Sequence, residues 1–152
     1  MKIKSCIPIA IILCANSAFS QNQIKLNFLT EHIKLWDLSF NKRDTITLFR
    51  LADSAITITA GGGTELGMIE FKKTVTGLYT DRRELTMKMT AAKVELSEWP
   101  LGYDSGDWIE TWFEKSDNSK NQIKGKYWRM WKIENDTCKV MAIILTPMSW
   151  NK

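Results

Sequence analysis

AITITAGGGTELGMIEF, residues 55–71, runs from β-branched residues through three glycines into apolar residues at helical spacing. Two kinds of fold compete for this stretch. A strand, glycine loop and helix that cradle a phosphate would place the chain among α/β nucleotide binders, whereas a tight corner leaves other folds open. A P-loop needs Lys and then Ser or Thr after its last glycine, so that an ammonium reaches the phosphates and a hydroxyl reaches magnesium. Here Met68 and Ile69 follow Gly67. The dinucleotide fingerprint fails as well, because Gly61 and Gly63 would require glycine where Leu66 stands. Glu65 puts negative charge near the helix start, where a phosphate would sit. The glycines read as a corner that needs positive φ.

Upstream of the corner, Leu26, Leu29, Ile33, Trp36 and Phe40 recur at helical spacing and form one stripe. Residues 41–51 predict a second, short helix with Asn41 as its N-cap and Ile46 and Phe49 on one side. Residues 55–59 predict a short strand. Downstream, Met68, Phe71, Val75 and Leu78 predict a third helix ending near Tyr79. Later segments alternate or are continuously apolar: RELTMKMT, AKVELSEW, DWIETWFEK, KGKYWRMWKI and KVMAIILT predict five strands. The breaks PLGYDSGD, SDNSKN and ENDT are polar or turn-rich. This order implies an α+β fold, with three N-terminal helices packed on one face of a curved, mostly antiparallel sheet. The last strand is apolar from Val140 to Leu145, so both its faces are expected to be covered. The face away from the helices must then curl on itself, enclose a pocket or meet a partner. A homodimer through that face is expected.

Lys2 and Lys4 precede the apolar run IPIAIIL, and Ala18, Phe19 and Ser20 suit signal peptidase. The apolar run is too short to span a bilayer. A lipid anchor on Cys14 is disfavoured by Leu13, which stands where a small residue belongs. Residues 1–20 are therefore expected to be a cleaved export signal, leaving residues 21–152 as one secreted or periplasmic domain, with no membrane association after cleavage. The signal carries two lysines and no acid, so the formal charge falls from +4 to +2. That is a mixed surface, not a nucleic-acid footprint. Cys6 and Cys14 leave with the signal, and Cys138 stays behind as an expected core residue with no disulfide partner. Asn135-Asp136-Thr137 reads as a hairpin turn.

Glu110 alternates onto the same strand face as Trp108 and Trp112, while Arg129 shares a face with Tyr127 and Trp131. If the two strands pair, their aromatic faces coincide and Glu110 is expected opposite Arg129. That arrangement satisfies two charges within an aromatic layer, or else holds a pocket carboxylate with a shifted pKa. His32, the chain's one histidine, borders the Trp36 stripe and is a second, weaker catalytic candidate. A lone histidine without a ligand cluster builds no metal site, and no cofactor motif is present. Six of the seven tryptophans lie between Trp99 and Trp150. They supply core and dimer contacts, or line a pocket for a small apolar ligand.

The stretches LWDLSFNKRDTITLFRLADSAITIT (35–59) and GKYWRMWKI (125–133), with the final apolar strand, resemble the nuclear transport factor 2-like superfamily. This group includes the SnoaL-like and ketosteroid-isomerase-like proteins, and the resemblance covers residues 23 to 147. It implies a cone-shaped, cystatin-like roll around a pocket, with the glycine corner near the mouth of the cone. Trp36, Trp108, Glu110, Trp112, Tyr127, Arg129 and Trp131 are then the expected pocket residues. The isomerases use a carboxylate base on the strand after the ADSA-like motif; here that strand is Ile56, Thr57, Ile58 and Thr59, with no acid. The first helix also lacks their tyrosine. Binding of a small, largely apolar molecule without catalysis is expected first. A cofactor-independent isomerase, dehydratase or hydrolase using Glu110 or His32 is the alternative, and a structural module with a filled pocket is the third reading.

Overall fold

The computed structural model describes residues 8–98, 100–134 and 137–151, with side chains from residue 21 onward. Of the expected export signal, residues 1–7 and the side chains of residues 8–20 lie outside this description. So do Trp99 and two residues of the Asn135-Asp136-Thr137 turn. Three helices, α1 (Pro8–Asn41), α2 (Thr45–Arg50) and α3 (Met68–Asp81), accompany six strands. These are β1 (Ala52–Thr59), β2 (Glu65–Leu66), β3 (Arg82–Leu96), β4 (Leu101–Glu114), β5 (Lys120–Glu134) and β6 (Thr137–Asn151). The fold is α+β, as expected, but only two helices precede the sheet; α3 lies between β2 and β3. The strands form one mixed sheet in the order β2-β1-β6-β5-β4-β3, with β1 and β6 parallel and the other pairs antiparallel.

The second helix starts four residues later than its periodicity predicts. Asp44 is its N-cap and accepts a hydrogen bond from the Thr47 amide at 3.0 Å. Asn41 instead ends α1 and works on the sheet: its side chain donates to the Met87 carbonyl and accepts from the Met87 amide, both at 2.8 Å. An amide side chain presents an N–H and a carbonyl oxygen side by side, so Asn41 pairs with the edge of β3 as a neighbouring strand would, while its second N–H donates to the Asp37 carbonyl. Between the helices Arg43 adopts a left-handed φ of 58°. From there its guanidinium donates to the carbonyls of Tyr79 and Arg82, each at 3.0 Å, and so fixes where α3 ends and β3 begins.

The glycine corner closes a small hairpin. Gly62 and Gly63 take positive φ (94° and 78°), the Gly63 amide donates to the Ala60 carbonyl, and β2 folds back on β1. Gly67 then starts α3.

Four long strands replace the five predicted. RELTMKMT and AKVELSEW are one strand, β3, irregular between Ala91 and Lys93. PLGYDSGD is mostly strand as well, because β4 begins at Leu101. Its glycines serve packing rather than turning. A Cβ on Gly102 would lie 2.7 Å from Leu29 Cδ2, and one on Gly106 would lie 2.1 Å from the Thr90 carbonyl.

Register follows from this longer β4. The aromatic faces of β4 and β5 do coincide, but Glu110 stands opposite Ile123 and Arg129 opposite Asp104. The predicted Glu110–Arg129 pair does not form. Three of the four large inner aromatics face a glycine instead: Trp108 meets Gly125, Tyr127 meets Gly106 and Trp131 meets Gly102, while Trp112 meets Asn121. At Gly106 and Gly125 the backbone of the neighbouring strand, Thr90 and Thr146, takes the space that a side chain would need.

The core lies between this inner face and the helices. Leu29, Ile33, Trp36 and Phe40 of α1, Phe71 and Val75 of α3, and Trp131, Cys138 and Val140 of the sheet are all buried. Burial also pushes the Cys138 thiol up to about 12, as suits an inert core residue. On β6 the expectation of two covered faces is not met within one chain. Val140 and Ile143 are buried, whereas Ile144, on the other face, is 43% exposed.

Candidate functional site

The inner face divides into two regions of different chemistry. Toward the start of β4, Arg129 is completely buried and bound on two sides. Its Nε and Nη2 donate to Asp104 at 2.7–3.2 Å, and its Nη1 donates to Asp37 of α1 at 2.7 Å. Trp131 Nε1 donates to the same Asp104 carboxylate at 2.6 Å. The Tyr127 and Trp131 rings lie 5.1 and 5.4 Å from the guanidinium. Burial works against the Arg129 charge, but Asp104 and Asp37 outweigh it and hold its pKa above the ordinary value. Burial raises the Asp37 carboxyl despite Arg129. This is a closed, hydrogen-bonded cluster that ties α1 to the sheet.

At the other end of the same face the side chains leave a cavity of about 290 Å³. Trp36 and Phe40 of α1, Phe71 and Val75 of α3, and Trp108 and Trp112 of β4 supply much of its apolar wall. Arg82 and Glu110 are the only charged residues on the wall among the described residues, and Arg82 Nη1 donates to Glu110 Oε1. The Arg82 guanidinium also sits 3.9 Å over the Trp112 ring. Glu110 is 7% exposed, and burial raises its carboxyl above the ordinary range although Arg82 pulls the other way. The cavity thus has an apolar body and one polar spot of balanced charge. Such a spot can accept from or donate to a single polar group while the wall takes up apolar surface.

Of the residues singled out from sequence, the fold brings Trp36, Trp108, Glu110 and Trp112 together around the cavity. Tyr127, Arg129 and Trp131 stand apart from its wall, around Asp104. His32 is away from both; its Nδ1 hydrogen-bonds to the Phe28 carbonyl at 2.9 Å within α1. Arg82, Asp104 and Asp37 were missed. Asp104 was legible in principle, because Trp112, Glu110, Trp108, Gly106, Asp104 and Gly102 continue one period-two series. Arg82 carries no such signal, since it stands at the junction of helix and strand. Among the described residues no group of His, Cys, Asp or Glu can hold a metal ion, and no helix is long and apolar enough to cross a membrane.

No protein-family model and no curated protein matches the sequence. Solved structures do match the fold. A putative scytalone dehydratase from Novosphingobium aromaticivorans superposes with a TM-score of 0.78 at 10% identity, covering 88% of this chain and 90% of that one. A nuclear transport factor 2-like superfamily protein from Salmonella enterica gives 0.69 at 16% identity, over 84% and 93% of the two chains. The fold is that of the nuclear transport factor 2-like superfamily. A ketosteroid isomerase-like protein from Erwinia carotovora atroseptica shares it at a TM-score of 0.70 and 9% identity, over 82% and 97%. At such identities the nuclear transport factor 2-like fold is what is shared, and function rests on the site.

Proposed function

We propose that this protein binds a small, largely apolar molecule in the cavity, with one polar group of the ligand at the Arg82–Glu110 pair. The observation that carries this reading is the unfilled space of about 290 Å³ with a single charged pair on an otherwise apolar and weakly polar wall. Pockets of this order bury most of a small ligand's surface and use few polar groups for orientation. A structural module with a filled pocket fits the open space less well. The test is tryptophan fluorescence with 1-naphthol and octan-1-ol as probes, since Trp108 and Trp112 border the cavity. Saturable quenching that Thr74→Phe weakens at least tenfold is the expected result; Thr74 lines the cavity from an exposed position on α3. No saturable change with either probe would reject the reading.

One observation favours a second reading, cofactor-independent isomerisation, dehydration or hydrolysis. Glu110 has its carboxyl raised by burial in an apolar wall, as acid–base catalysts do. Neighbours of the same fold bear the names of a putative scytalone dehydratase and a ketosteroid isomerase-like protein. Glu110→Gln would then abolish turnover while leaving affinity within a few-fold.

Export also remains a proposal, resting on the charged, apolar and small-residue order of residues 1–20. Intact-mass analysis of material secreted by a bacterial host should find a chain beginning at Gln21. Retained residues 1–20 or lipid on Cys14 would reject it.

A further inference from the structure

Arg82 and Glu110 bring two half-used groups to the cavity wall. Glu110 Oε1 accepts from Arg82 Nη1, and among the described residues neither side chain makes a further hydrogen bond. The described side-chain atoms that are both sealed and unpartnered are Tyr127 Oη and Ser149 Oγ. Glu110 Oε2 and the remaining Arg82 N–H groups therefore still reach open space. Glu110 is 7% exposed and borders the cavity, so the space its second oxygen meets is the cavity. The indole N–H groups of Trp108 and Trp112 are engaged elsewhere, by the Lys126 carbonyl and by Glu114. What the charged spot offers a ligand is an acceptor beside donors.

Charge and hydrogen bonding narrow what can answer both. A carboxylate would face Glu110 and an ammonium would face Arg82, each as a third charge beside a pair that is already balanced and poorly hydrated. A ketone or ether accepts from Arg82 but leaves the Glu110 oxygen desolvated without a donor. An amide held cis in a ring carries its carbonyl and its N–H along one edge and satisfies both sides. The Asn41 side chain meets the Met87 backbone in the same donor-and-acceptor way. Size is bounded too. At about 30 Å³ per water-sized group, 290 Å³ holds on the order of ten non-hydrogen atoms. The wall is closed toward the glycine corner, where Gly61 packs so tightly that a Cβ would lie 2.5 Å from Pro147 Cγ. Rings of Trp36, Phe71, Trp108 and Trp112 make up much of the rest, which suits a flat guest.

Resting on the cavity-binding reading, we propose that the ligand is a compact, flat lactam. Its carbonyl accepts from Arg82, its N–H donates to Glu110, and its hydrocarbon ring lies among the aromatic walls.

The experiment compares isoindolin-1-one with 1-indanone by isothermal titration of the full chain. The two share one shape and differ in an N–H where the ketone has a CH2. The ketone is the more apolar, so a wall that selects on apolar area alone binds it more tightly. A hydrogen bond to a charged group is worth roughly ten- to hundredfold in affinity, so the lactam should bind at least tenfold more tightly. The second arm replaces the pair together, Arg82→Met with Glu110→Met, because apolar residues in place of a whole buried pair are tolerated where a single replacement strands a charge. A thermal melt checks that this protein is folded. In it the order should reverse, with 1-indanone bound as well as by the parent and the lactam weakened at least tenfold. A parent that binds 1-indanone as tightly as the lactam, or more tightly, would overturn the lactam and leave the cavity reading intact. A lactam preference that survives in the folded double variant would overturn the role of the pair. Failure of both compounds and of 1-naphthol would overturn the cavity reading as well.

Discussion

Glu110 stands between two opposing fields. Burial in the cavity wall favours its neutral form, Arg82 favours the charged form, and the net result is a raised pKa. A carboxyl whose folded pKa exceeds its unfolded value binds more protons when folded, across the window between the two. Stability then falls as pH rises through that window, from the ordinary carboxylate range upward to the raised value. Glu110→Gln cannot titrate and keeps the shape, so it should gain thermal stability relative to the parent as pH is raised from about 4 to about 7. Melting curves of both proteins over that range provide the check. A Gln variant that loses ground with rising pH would mean that the Arg82 attraction outweighs desolvation. The face of Glu110 was legible because alternation with Trp108 and Trp112 is a local property. Its partner was not: naming it needed the register of strands whose true starts were hidden in a glycine-bearing stretch that reads as a turn.

Elements were legible where apolar spacing is regular and misread where one residue type has two uses. Leu29 to Phe40 and Met68 to Leu78 follow helical periodicity, and both are helices. Asn41 looks like a cap and is a strand-edge partner; Gly102 and Gly106 look like turn residues and give room to Leu29 and to the backbone of β3. The glycines of this chain can be sorted by that physics. Gly77 lies inside α3 with nothing within 4 Å of a Cβ position. Gly77→Ala should therefore raise stability by about 0.5–1 kcal/mol, through the lower conformational freedom of the unfolded chain. Gly106→Ala should do the opposite, because its Cβ would meet the Thr90 carbonyl at 2.1 Å and the backbone must move. Overpacking of that kind costs about 1–3 kcal/mol. Urea titrations of the two variants test the contrast. Equal effects would mean that β4 bends away from β3 at Ala91 without resistance.

At the scale of the whole molecule, the alternation that builds the inner face leaves a second aromatic surface outside. Tyr103 and Trp128 lie there with ring centroids 6.4 Å apart, beside Met130 on β5 and Ile144 on β6. Ile109 and Ile144 are 38% and 43% exposed. Charged residues surround this centre in pairs, Lys126 with Asp107 and Lys132 with Glu134. Such a surface has the anatomy of an interface, with an apolar middle and a polar rim. A second copy related by a two-fold axis would place middle on middle, cover the open face of β6 and close without a growing edge. We expect a homodimer on this ground. Light scattering of residues 21–152 at about 10 µM should give twice the chain mass, and Trp128→Lys should halve it while preserving a cooperative melt. The lysine would bring two like charges face to face across the axis, where Asp107 and Glu134 are already paired with lysines. A parent that scatters as a monomer, or a Trp128→Lys protein that remains dimeric, would move the contact elsewhere. The outer face would then be a solvated surface whose aromatic pair serves only the sheet beneath it.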